Sequence, residues 1–102
     1  MHQVQILLPV SDNKGNHFPS ELYADIRNEL VEKYGGITAY TRSPAKGLWK
    51  ENNEKVVYDD IVIYEVMAET LEMDFWRLLK EELKRKFDQD DLIIRVTEIL
   101  IV

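Results

Sequence analysis

The chain has 102 residues, room for one domain with a single modest core, and its 45% hydrophobic and 31% charged content is that of a folded protein. A net charge of −6 argues against nonspecific binding to nucleic-acid phosphates, which needs clustered Lys and Arg. With no cysteine there are no disulfides, zinc–thiolate sites or thiol nucleophiles, and no apolar run approaches the ~20 residues that span a bilayer.

The opening segment from Met1 to Pro9 is too short and polar for a signal peptide, so a cytoplasmic location is expected. Val4, Ile6, Leu8 and Val10 alternate with Gln5, Leu7 and Pro9, which predicts a first strand over residues 4–10. Ser11 to Asn16 has the composition of a turn. A helix should begin around His17–Phe18–Pro19–Ser20, with proline accommodated in its first turn. Leu22, Ile26 and Leu30, spaced by four and flanked by Tyr23 and Tyr34, give that helix one apolar stripe. Gly35–Gly36 stops it, since glycine takes the positive φ of a helix C-cap.

Ile37 to Arg42 reads as a second strand. From Ser43 to Lys55 there are two readings, one long loop or, preferred, a further short strand at Leu48–Lys50 turned by Glu51–Glu54. The second makes an extended hairpin arm around 42–56, bulged at Pro44 to Gly47, and feeds a long strand over 55–67. Ile61 to Met67 is apolar on both faces apart from Glu65. Thr70 is placed to cap a second helix, with Leu71, Phe75, Leu78, Leu79, Leu83 and Phe87 as its stripe and Trp76 at the border. Lys84–Arg85–Lys86 closes that helix as dipole compensation, Asp88 to Asp91 breaks it, and residues 92–102 form a β-branched final strand.

Strand, helix, strand, strand, helix, strand in one small domain is the α+β, ferredoxin-like βαββαβ sandwich: a four-stranded antiparallel sheet with both helices on one face. The helical stripes cover one face and leave the other apolar. A second copy is the simplest cover, so a homodimer is expected, with the dimeric α+β barrel as one form it can take.

Four short motifs also mark the chain: Gly35–Gly36–Ile37–Thr38, Gly47–Leu48–Trp49, Asp59–Asp60–Ile61–Val62 and Phe75–Trp76. In these it resembles a family of short, uncharacterised bacterial proteins. The resemblance implies the ferredoxin-like plan and a bacterial cytosolic origin, and brings no activity.

Candidates for chemistry are few. His2 and His17 have no partner at ligand spacing, so no metal and no cofactor are expected. Gly35–Gly36 follows a helix and precedes a strand, the reverse of a phosphate loop, and no nucleophile elbow surrounds any serine. Glu65, a carboxylate in an apolar strand, needs a cation such as Arg42 or Arg95 if it faces the open side. Tyr40, Arg42, Lys46, Trp49 and Lys50 offer stacking surfaces with fixed cations, suited either to a small anionic or aromatic ligand or to a dimer interface. The expected function is therefore a noncatalytic homodimeric module, self-associating or binding a small molecule near the interface. The alternative is a small cofactor-free enzyme, catalysing oxidation or isomerisation, with His17, Tyr40 and Glu65 as acid–base candidates.

Overall fold

Strand alternation decides the architecture. A computed structural model describes the backbone at residues 1–50 and 56–102 and the side chains at 1–41 and 60–102. In β1 (His2–Pro9), Val4, Ile6 and Leu8 are fully buried, while their odd-numbered neighbours turn to the other face. β1 pairs antiparallel with β3 (Val56–Ala68), setting Val4, Ile6 and Leu8 opposite Val66, Tyr64 and Val62, all buried. β4 (Ile94–Glu98) lies on the other side of β1, and β2 (Thr38–Lys50) on the outer side of β3. The sheet order is β2-β3-β1-β4, with every neighbouring pair antiparallel. Helices α1 (Ser20–Tyr34) and α2 (Met73–Lys86) close the even-numbered face. This is the ferredoxin-like βαββαβ plan.

The helix signals act through their chemistry. α1 starts directly after Pro19, and it ends at Gly35 with φ 81°, where the Gly35 N–H donates to the Val31 carbonyl at 2.8 Å. Ile26 and Leu30 are buried, with Leu22 and Tyr23 half-buried beside them. In α2 the buried line is Trp76, Leu79 and Leu83, continued by Phe87 just past the helix end. The basic cluster is paired along its own helix, Lys84 to Glu81 at 3.6 Å and Lys86 to Glu82 at 2.8 Å.

The structure corrects five expectations. Thr70 does not cap α2, which begins three residues later, after Glu72. Trp76 is a member of the buried line, 3% exposed, and Leu78 is 73% exposed. At 3.6 residues per turn Leu78 stands about 200° round the helix from Trp76, facing water. Residues 38–50 form one strand, with the register break between Tyr40 and Ala45, earlier than Pro44 to Gly47. The last strand stops at Glu98, which pairs with His2, and the Ile99 N–H donates to the Met1 carbonyl just beyond it. Leu100 beyond it is 92% exposed. The first helix starts at Ser20, so His17 and Phe18 belong to the preceding loop.

The β1–β3 ladder ends at Pro9 and Ile61, with one further bond from the Val10 N–H to the Asp60 carbonyl, yet β3 extends back to Val56, residues 56–59 pairing with residues 47–50 of β2. The two strands thus overhang the four-stranded sheet by four pairs. The expected turn at Glu51–Glu54 lies outside the described residues.

Candidate functional site

Two surfaces carry unusual polar chemistry. On the open face of the sheet, β1 contributes Gln5 and Leu7, and β3 contributes Ile63, Glu65 and Met67. Glu65 is only 8% exposed although no helix covers this face. The Gln5 side-chain amide donates to Glu65 Oε1 at 2.8 Å, and Arg95 Nε donates to Gln5 Oε1 at 2.8 Å. Because Gln5 accepts from a cation and donates to an anion, its amide orientation is fixed by both neighbours. Glu65 is therefore compensated by Arg95 at one remove, through Gln5. Tyr40, opposite Ile63, is 47% exposed on the same face, and Thr38 pairs with Glu65.

At one end of this face is an open cavity of about 520 Å³, with Leu7, Pro9, Ile61 and Ile93 as its apolar wall and Asp88, Asp90 and Asp91 at its rim. Asp91 is held below the usual carboxylate range, first by the Leu92 backbone N–H and then by Lys80, whose ammonium is 3.3 Å away. Among the described residues no group of three or more His, Asp and Glu is arranged to hold a metal ion.

The second surface is a cleft of about 270 Å³ on the helix side of the sheet, between the β1–α1 loop, α1 and β3. Val10, Phe18 and Val62 make its apolar wall; His17, Ser20, Tyr23, Arg27, Thr41 and Tyr64 supply polar atoms. Arg27 Nη1 donates to the Tyr64 hydroxyl at 2.8 Å, with the guanidinium 5.9 Å from the same ring's centroid. The Tyr23 hydroxyl donates to the Pro9 carbonyl, tying α1 to the end of β1. The loop leading into the cleft is ordered by Asp12, whose Oδ1 accepts from the Lys14 and Asn16 backbone N–H groups at 2.8 and 2.9 Å. Those bonds, Asn16 first, lower the Asp12 pKa.

The structure places Tyr40 and Glu65 on the open face and His17 in the helix-side cleft, so the three acid–base candidates do not converge. Tyr40 and Glu65 lie on the diagonal two register steps apart, with no hydrogen bond between them among the described residues. The side chains of Arg42, Lys46, Trp49 and Lys50 lie outside the described residues. Their backbones run along β2, Lys46 opposite Asp60, Trp49 opposite Val57 and Lys50 opposite Val56, with Arg42 in the register break. Sequence reasoning missed Gln5, Tyr23, Arg27 and Tyr64. A faint signal existed: Arg27 follows Tyr23 by four in α1, on the border of the apolar stripe, and Tyr64 has the parity of Val62 and Val66 in β3.

No family model and no curated protein matches the chain. Among solved structures it is similar to a phage SAM lyase in complex with S-methyl-5′-thioadenosine, at 16% identity and TM-score 0.62, covering 95% of this chain and 80% of that one. It is also similar to the divalent cation tolerance protein (Cut A1) from Thermus thermophilus, at 18% identity and TM-score 0.63, covering 100% and 87% of the two chains. At such identities the likeness is one of fold, and it places this chain among ferredoxin-like α+β proteins.

Proposed function

We propose that the protein is a noncatalytic, self-associating module whose open sheet face is covered by a second copy of the chain, with small-molecule binding at the margin of that face. The observation that carries this reading is the face itself. Leu7, Ile63, Met67 and Tyr40 surround the Arg95–Gln5–Glu65 chain with no helix over them, a mixture of apolar anchors and satisfied polar groups suited to an interface. Membership of the short bacterial family and a cytoplasmic setting belong to the same reading; among the described residues no helix is long and apolar enough to cross a membrane. Sedimentation velocity at micromolar concentration tests it: a dimer or larger assembly is expected, and a stable monomer overturns it.

A second reading, a small enzyme working in the open-face cavity, is favoured by that cavity's size, within the range of small-molecule sites. It is also favoured by the fold shared with a SAM lyase. Incubation with S-adenosylmethionine and chromatography for S-methyl-5′-thioadenosine tests it. Product formation that Asp88→Asn or Asp90→Asn, at the cavity rim, abolishes supports an enzyme there; no product above the protein-free rate removes the lyase form of this reading.

A further inference from the structure

We infer that the helix-side cleft at Arg27 and Tyr64 is a binding site for a small carboxylate carrying an apolar group. Its position on the opposite side of the sheet from the assembly face makes it independent of the proposed self-association.

The first argument is charge. The chain holds 19 acidic residues against 13 basic ones, yet no Asp or Glu is among the described residues that line this cleft. Arg27 is half-buried there and forms no ion pair among the described residues. A guanidinium in a partly desolvated cleft without a carboxylate partner is a poor structural device, because surface alternatives would hydrate it fully.

The second argument is hydrogen-bond stereochemistry. Arg27 spends one N–H on the Tyr64 hydroxyl. That hydroxyl therefore acts as acceptor, and its own hydrogen has no acceptor among the described residues although Tyr64 is 1% exposed. The free edge of the guanidinium and the Tyr64 O–H are thus adjacent donors, which suits the two oxygens of one carboxylate. Tyr23, by contrast, has its hydrogen committed to the Pro9 carbonyl and offers only acceptor capacity.

The third argument is shape. The remaining wall is apolar, from Val10, Phe18 and Val62, and the volume of about 270 Å³ lies just below the range of drug-sized sites. An apolar wall of this size fits the hydrocarbon part of a small acid and gives nothing to a compact, fully hydrated anion. His17 is exposed, at the mouth.

The test is a chemical-shift titration of the ¹⁵N-labelled full chain with sodium benzoate, with inorganic phosphate as the second arm and sodium chloride matching ionic strength. Saturable shifts are expected with benzoate at the Arg27 Nε–H and at the Phe18, Ser20 and Tyr64 amides. Arg27→Gln should weaken benzoate about tenfold or more, as expected for loss of a charged hydrogen-bond partner. Tyr64→Phe should weaken it by a smaller factor, and it tests the site even if Arg27→Gln loses its amide dispersion. Absence of saturation with benzoate overturns the proposal. So does phosphate binding as tightly as benzoate, or unchanged affinity in both folded variants.

Discussion

At the scale of single residues, Tyr23 shows how one hydroxyl joins packing to electrostatics. Its ring meets Phe87 edge-on at 5.3 Å, and its hydroxyl donates to the Pro9 carbonyl where β1 ends. Burial, and secondarily the neighbouring Tyr64, pushes the Tyr23 pKa up to about 12 from an ordinary value of 10.0. The native state therefore favours the neutral phenol more strongly than the unfolded chain does. Its contribution to stability is fully present below pH 10 and is lost as pH rises through 10 towards 12. Tyr23→Phe keeps the ring contact and removes the ionisable group. Denaturant unfolding should show the variant less stable at neutral pH by about 1 kcal/mol, the usual net worth of a hydrogen bond. Between pH 10 and 12 the variant should lose less stability than the wild type, so the gap narrows or closes. A gap that stays constant over that window would show that Tyr23 titrates as it does in the unfolded chain.

At the scale of elements, α2 separates what periodicity can reveal from what it cannot. Leu78 and Leu79 are adjacent and chemically identical, and the sequence alone admits both to the stripe. The turn of the helix does not: Leu79 is 3% exposed and Leu78 is 73% exposed. Leu79→Ala should cost about 2–5 kcal/mol in urea unfolding, whereas Leu78→Ala should stay within about 0.5 kcal/mol of wild type. Equal losses would mean that Leu78 is covered in solution, which assembly through α2 would explain. The same contrast sets how much of the fold was legible. Strand alternation at Val4, Ile6 and Leu8, the Gly35 stop and the order of elements followed from local rules, because each is decided by residues close in sequence. The end of β4 was not legible, because it is decided by pairing with β1, far away in sequence, His2 against Glu98. The cleft was hidden for the same reason. Arg27 and Tyr64 are 37 residues apart, and only the crossover of α1 above β3 brings the guanidinium to the hydroxyl. Glu65 stood out as a carboxylate among apolar neighbours, but its immediate partner is Gln5, a neutral residue with no charge to attract notice.

At the scale of the whole molecule, the question is whether the open face can sustain an assembly. A stable interface buries about 800 Å² on each partner, roughly a tenth of the 7249 Å² surface of this chain. Four strands spaced about 4.8 Å apart, with β1 eight residues long at about 3.3 Å each, present only about 500 Å² of flat sheet. The sheet alone falls short of that standard unless relief and rim add to it. The four overhanging pairs of β2 and β3 add about 13 Å of further ribbon at the same rise, roughly 130 Å² at the same spacing, which leaves the rest to side-chain relief and the rim. Two strands with no third to pair with are marginal in water, so contact with another copy would stabilise the ribbon as well as the face. Ile63 and Met67 are the positions at which to test this, since both lie on the open face and Met67 is 52% exposed in the single chain. In a monomer, Met67→Lys should be almost neutral, because a half-exposed site lets the ammonium reach water. In an assembly, Met67→Lys and Ile63→Lys place unpaired cations in a desolvated interface, a strongly unfavourable change. The expected outcome is a wild type whose melting temperature rises with protein concentration, as linkage of folding to association requires. Both variants should sediment as monomers and melt at a temperature independent of concentration. Retention of the wild-type sedimentation coefficient by both folded variants would place the interface elsewhere on the molecule.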